Sequence, residues 1–361
     1  MKAWCGALAA FLLLTGVAVA QGKVVHVYNW SDYVDPALLD QFTRETGIKV
    51  VYDTYDSNEV LEAKLLAGRS GYDIVVPSGT FLQRQIAARL FQPLDRTRLP
   101  NARHLWPDVD GRLSIHDPGN RYAINYMWFT TGLAYNVAKV RERLGDVPMD
   151  SWSIVFKPEN LKKLADCGVY MLDSPEDIFA IALRHLNLDP SSRNAGDLAK
   201  AAALIQRVRP YVKKFHSSEY INALAGGDIC LAVGWSGDSF QARNRAREAG
   251  AKAEIAYVIP REGTLMSLDN LAMPVDAPHV EEPYALIDFL LRPSVAARNT
   301  AVTNFANGVL ASKPMVPKDI LDNKAIYPDE AVMKRLFTVT PPDRAAQRVV
   351  TREWTRIKSG R

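Results

Sequence analysis

Acidic and aromatic side chains recur together wherever a strand-like run of this chain gives way to a turn or helix. "VVHVYNWSDYVDP" passes from a buried-strand pattern straight into Trp30, Ser31, Asp32 and Tyr33. "YDIVVPSGTF" ends in Ser78, with Phe81 three residues on. "VYMLDSPED" brings Asp173, Ser174, Glu176 and Asp177 to a strand end, and "LAVGWSGDSF" brings Trp235 and Asp238. After a further crossing, "MSLDN" offers Asp269 and "TNFANG" offers Phe305. None of these short segments contains Lys or Arg.

That asymmetry points to one kind of ligand. A helix N-terminus in a crevice favours anions, so a phosphate or sulfate binder would keep Asp away from it. A receptor for α-amino acids would supply an Arg to grip the carboxylate at two points. Carboxylates beside indole and phenol faces instead suit a desolvated ammonium, each ring contact contributing about 0.5–2 kcal/mol. Taken singly, Asp32 and Asp177 also read as helix caps and the tryptophans as packing. Caps do not account for the aromatics beside them.

Catalytic patterns fit less well. "GWSGD" departs from the G-x-S-x-G elbow at Asp238. The histidines, His26, His104, His116, His185, His216 and His279, are dispersed, with no i, i+4 pair of the kind a helical zinc site uses. No phosphate loop or dinucleotide fingerprint is present, and no metal or cofactor is expected. An acid pair for hydrolysis remains open as a rival, since carboxylate separation is a spatial property. A site for another cationic ligand, or for ferric iron through tyrosines, is the nearer alternative.

The elements that would position these residues alternate. Val24–Tyr28, Ile48–Tyr52 and Tyr72–Val76 read as strands, and Pro36–Thr46, a helix from Ser57 to Leu66, and Gly79–Leu90 as helices. Residues 91–125 break the rhythm, and "NYMWFTTGLAYN" reads as an extended crossing segment. A second block follows with strands Val169–Leu172, Val212–Phe215 and Ile229–Gly234 and helices near 158–165, 175–187, 194–208, 217–226 and 238–249. Helices near 281–291 and 294–301 and a mostly helical tail close the chain. Two α/β blocks with parallel sheets and right-handed crossovers predict two Rossmann-like lobes joined by crossing strands that act as a hinge. The expected division is residues 21–130 plus about 257–310 for one lobe, and 131–256 plus about 311–361 for the other.

Composition sets the compartment. At 361 residues the chain exceeds one ordinary core. Residues 1–20 carry one Lys, an apolar run from Ala7 to Leu14 and then Ala18-Val19-Ala20, the pattern of a cleaved export signal. The formal charge of +4 becomes +3 when Lys2 is lost, because residues 1–20 hold no acid. So weak a balance, without a basic stretch interleaved with aromatics, argues against nucleic acid. Cys167 and Cys230 remain in the exported chain. In an oxidising compartment they are expected to pair, two free buried thiols being the alternative.

"YNWSDYV", "YDIVVPSGTFLQRQ", "YMWFTTGLAYN", "HSSEYINALAGGDICLAVGWSGD" and "TREWTRIKSGR" closely resemble the periplasmic putrescine-binding proteins of polyamine ABC transporters. The resemblance implies a type II periplasmic binding protein fold, a monomer that closes over a polyamine and delivers it to inner-membrane permease subunits, with no enzymatic step. It implies ligand contacts from Trp30, Ser31, Asp32, Tyr33, Ser78, Phe81 and Asp269 on one lobe and Asp177, Trp235 and Asp238 on the other, with Phe305 in the cleft. Three positions depart from that pattern: Asp177 stands for a Glu, Ser267 for an aromatic, and Phe305 for a Tyr. They leave the choice among putrescine, cadaverine, agmatine and spermidine open.

Overall fold

The computed structural model describes residues 22–251 and 253–360. The export signal expected over residues 1–20 lies outside the described residues. The first strand, Val24–Trp30, alternates between a buried and a half-buried face, with Val25, Val27 and Asn29 inward. Pro36–Thr46 follows, started by an Asp35 side chain that accepts from the Ala37 N–H and stopped by Gly47 at φ 72°. Only glycine adopts that left-handed stop without a steric penalty. Leu38 and Phe42, four residues apart, give this helix its buried stripe.

Among the described residues, ten strands form one continuous sheet. Val24–Trp30 lies between Lys49–Tyr55 and Ile74–Val75, parallel to both. In the second block, Val169–Met171 is parallel to Lys214–Phe215 and to Leu231–Trp235. The two parallel halves are joined by the 14-residue strand Ala123–Asn136, buried along nearly all its length. Its first part, to Thr130, pairs antiparallel with Met266–Ala272. From Thr131 onward it pairs with Leu231–Trp235 and, further along, with Ile255–Val258. The partner change between Thr130 and Thr131 is where one half of the sheet hands over to the other. The result is the two-lobed α/β fold expected from the alternation, with separate cores on either side.

Boundaries shift where tertiary packing outweighs local pattern. The third strand shortens to Ile74–Val75, and the helix after it ends at Ala87 instead of Leu90. Within the irregular stretch 91–125 a short helix, Pro107–Leu113, buries Val109 and Leu113. Residues Val316, Ile320, Ile326 and Leu336 of the tail pack with Trp128, Met266 and Leu268, so this part of the tail lies against the crossing strands. The final helix, Arg344–Ser359, instead returns to the second core through Ala346, Val350, Trp354 and Ile357.

Cys167 and Cys230 form a disulfide across 63 residues, beside the backbone hydrogen bond from Cys230 N–H to the Gly168 carbonyl. It pins the start of one parallel strand to the loop before its neighbour. A loop of that length contributes up to roughly 4 kcal/mol in the chain-entropy account. Replacing both cysteines by serine is expected to lower the denaturant unfolding free energy by about 2–4 kcal/mol with little change in ligand affinity, which urea titration followed by calorimetry would check.

Candidate functional site

The C-terminal ends of the parallel strands from both halves meet at one crevice, where an open α/β sheet binds its ligands. Trp30 ends the first strand there. Its indole N–H donates to the Val76 carbonyl at 2.9 Å, and its ring meets Tyr55 at 4.7 Å and Trp235 of the other half at 6.0 Å. Tyr33 packs edge-on to Phe305 at 4.7 Å, and Phe129 meets both Phe305 and Trp235. Together these rings wall a narrow chamber of about 40 Å³ that Ser31, Asp32, Ser78, Asp238 and Asp269 also line. By this measure one water needs about 10–15 Å³, so the space admits a thin chain and not a ring.

Three carboxylates are the polar centre of the crevice. Asp269, 2% exposed, accepts from Ser78 Oγ at 2.6 Å, and Ser78 in turn accepts from the Asn58 amide at 3.0 Å. The Tyr33 hydroxyl faces Asp269 and favours its charged form, though it makes no well-formed hydrogen bond of its own. Asp238 stands in the first turn of the helix Ser236–Glu248 and accepts from the Tyr220 hydroxyl at 2.7 Å. Asp177, in the first turn of Pro175–His185, accepts from Thr131 Oγ1, from Ser174 Oγ at 2.7 Å and from the Trp235 indole at 3.4 Å. None of the three forms an ion pair among the described residues.

Burial is the dominant influence on all three. It pushes Asp269 and Asp238 up to about 7, against the help of their hydroxyl partners, and the neighbouring acids push the same way. Asp177 is raised by the same cause. Neutral hydrogen bonds therefore do not offset the loss of water around these charges.

Most of the residues expected from the sequence converge, with two qualifications. Phe81 sits in an adjoining space, with the Arg84 guanidinium 4.0 Å from its ring centre. Asp32, expected as a ligand acid, is half-exposed and at φ 55°, and its carboxylate pairs with Arg245 at 3.0 Å across the cleft. Arg245 lies two turns down the helix that begins at the crevice, so no strand-end segment contains it. Sequence reasoning also left out Tyr220, Thr131 and Phe129, which orient the acids and rings. An inward-facing phenol on the helix Tyr220–Gly226 was the legible sign of the first.

The two halves touch around the chamber as well as lining it. The Gln241 amide donates to the Thr303 carbonyl at 3.0 Å, and Thr80 Oγ1 donates to Glu176. The Phe305 ring lies directly on the helix start at Gly237, where any Cβ would meet the ring at 2.2 Å. A larger cavity of about 860 Å³ opens outside, lined by charges of both signs including Arg84, Arg344, Arg348 and Lys358. Its mixed, solvent-open lining makes it an approach to the site and not the site itself.

Two outcomes follow from these charges. An ammonium entering the closed chamber favours the ionised acids, so binding to the closed form near pH 6.5 is expected to expel on the order of one proton. Because Asp238 and Asp269 carry raised values in the empty closed form, that form is most favoured at low pH and loses favour as pH rises from about 4 through about 7. Affinity for a cation correspondingly rises over the upper part of that window, by up to about tenfold per pH unit per proton released, and levels off above it. Calorimetry in buffers of different ionisation enthalpy measures both quantities. Separately, Arg245→Ala is expected to weaken binding by no more than about fivefold, since exposed ion pairs contribute about 0–1 kcal/mol.

The chain matches the family described as bacterial extracellular solute-binding protein over residues 37–326. It is 50% identical to the putrescine-binding periplasmic protein SpuD of Pseudomonas aeruginosa over 100% of both chains. It is 47% identical to the putrescine-binding periplasmic protein PotF of Escherichia coli, covering 100% of this chain and 99% of that protein. Among solved structures it resembles the spermidine/putrescine ABC transporter substrate-binding protein PotD of Streptococcus pneumoniae, with TM-score 0.77 and 26% identity over 94% of this chain and 99% of that one.

Proposed function

This chain belongs to the bacterial extracellular solute-binding protein family, and we propose that it captures putrescine or a related linear polyamine in the periplasm for a polyamine ABC transporter. It is a binding protein and not an enzyme. The observation that carries the ligand assignment is the set of buried carboxylates, Asp177, Asp238 and Asp269, held among aromatic faces with no cation paired to them among the described residues. An alkyl diammonium supplies the missing positive charge at each end and an apolar stem for the rings between. The narrow chamber supports an unbranched chain.

Asp238 and Asp269 bind ammonium directly, with Tyr220, Ser78 and Tyr33 holding the carboxylates in place. Trp30, Trp235, Phe129 and Phe305 contact the methylenes, and Asp177 extends the acidic lining on the second lobe. Asp32 acts with Arg245 as a closing contact at the rim. Residues 21–130 with about 257–310 form one lobe, on which the tail stretch from Val316 to Leu336 packs, and 131–256 with the final helix Arg344–Ser359 form the other, hinged near Thr130. Ligand bridging favours the closed arrangement because its contacts to both lobes exist only there. The closed monomer then presents its surface to inner-membrane permease subunits.

Asp238→Ala and Asp269→Ala are each expected to weaken putrescine binding at least tenfold, about 1.4 kcal/mol or more. Titration calorimetry on the exported form tests this, and unchanged affinity in both variants would sink the assignment. A thermal-shift comparison of diamines, triamines, agmatine and arginine ranks the ligands, since whatever binds only the native state raises its melting temperature.

A further inference from the structure

The loop that carries Ser31, Asp32 and Tyr33 into the crevice is held from behind. It turns through Asp32 at φ 55°, a conformation that costs a non-glycine residue free energy and persists where the surroundings impose it. The Tyr33 carbonyl accepts from the Tyr126 hydroxyl at 2.9 Å, and that hydroxyl accepts in turn from the Asn299 amide at 2.7 Å. Asn299 Oδ1 accepts from the Asp35 N–H at 2.8 Å, so one side chain reaches both ends of the segment Tyr33–Asp35. The preceding residue, Arg298, pairs with the Asp35 carboxylate at 2.7 Å. Tyr126 and Asn299 are buried, and neither lines the chamber itself.

The backbone is arranged for these contacts at both points. Tyr126 stands where the strand Ala123–Asn136 slips register against Met266–Ala272, between Asn125 and Met127. Such a bulge leaves its extra residue out of the ladder and re-aims the side chain. Here the phenol meets the ligand loop, with its ring 5.7 Å from that of Tyr33. Asn299 lies on the helix Pro293–Thr303, whose last turn also supports the chamber wall. Thr303 Oγ1 donates to the Asn299 carbonyl at 2.8 Å and accepts from the Phe305 N–H at 3.4 Å.

Resting on the polyamine reading above, we infer that Tyr126 and Asn299 are positioning residues for cation capture: they fix the Tyr33 backbone so that its hydroxyl stands against Asp269. Asp269 has two hydroxyls to favour its charged form, those of Ser78 and Tyr33. Ser78 is held by Asn58 on its own side of the crevice, and Tyr33 by the relay from Asn299 through Tyr126. If the relay is broken, Asp269 keeps Ser78 alone, and the ionised carboxylate that an ammonium requires is less favoured.

The test is a double-mutant cycle read by calorimetry with 1,4-diaminobutane. Tyr126→Phe keeps the ring and removes the hydroxyl, and is expected to weaken binding by about two- to tenfold, the worth of one hydrogen bond. Tyr33→Phe removes the group that Tyr126 places, so in that background Tyr126→Phe should cost less than half as much on the logarithmic scale, about the mark of a shared route. Both variants should also move the pH at which affinity levels off upward, because the charged form of Asp269 loses support. The other groups facing Asp269, the Ser78 hydroxyl and the carboxylates of Asp177 and Asp238, are the same in both. Asn299→Leu breaks both of its bonds and should weaken binding at least as much as Tyr126→Phe; where it does not fold, Tyr126→Phe decides. Equal losses with and without the Tyr33 hydroxyl, or an unmoved pH profile, overturn the inference and leave the polyamine reading standing. Should the wild type bind no diamine or other polyamine, the polyamine reading fails and takes the inference with it.

Discussion

Three carboxylates are buried in this crevice with hydroxyl and indole donors around them and, among the described residues, no cation paired to them. Desolvating an ionised carboxylate costs several kcal/mol even after relaxation, and neutral hydrogen bonds recover only part of that. The empty closed state is therefore electrostatically unfavourable once these acids ionise, and it becomes favourable when a positive ligand enters. Every other feature of the molecule serves this constraint. The sheet ends bring acids from two halves together, the rings wall the space between them, and one strand, through Thr130 and Thr131, joins the halves.

The contacts that join the halves directly are weak by comparison. The Asp32–Arg245 pair is half-exposed, and pairs of that kind contribute little. Gln241 on Thr303 and Thr80 on Glu176 add individual hydrogen bonds, whose net value is about 1 kcal/mol each. The approach of Phe305 to Gly237 is a matter of fit, since a side chain at 237 would hold the rings apart. A seam of this strength can position the lobes without locking them. Closure then depends on what fills the acidic centre, and that is the condition for a receptor that must also release its cargo.

The alternation of strands and helices was legible because each element carries its own local signal. Asp35, Pro36 and Gly47 mark one helix completely, and the alternating Val24–Trp30 run marks its strand. The convergence of Trp30, Ser78, Asp238 and Asp269 was legible as well, because sheet topology forces strand ends to one edge. What escaped lies off those ends. Arg245 is two turns into a helix, Tyr220 comes from a neighbouring helix, and Thr131 sits mid-strand. No local pattern says that these reach the crevice. Asp32 shows the consequence: its type and position read as a ligand acid, while its charge is met by an arginine that only the packing brings near.

The placement of the acids also explains how they are tolerated at all. Asp177 and Asp238 each stand in the first turn of a helix, where unpaired N–H groups and the helix dipole favour negative charge by about 0.3–1 kcal/mol, more where partly buried. Asp269 has no helix behind it and relies on the relay from Asn58 through Ser78. The same helix ends that would hold an anion in a phosphate-binding protein here carry the protein's own carboxylates, which reverses the sign of the site. One fold can therefore serve ligands of either charge, and the residue in the first helical turn decides which. In this chain the same substitution of acid for ligand anion occurs twice, on two helices of one half. The positive charge must then arrive with the solute.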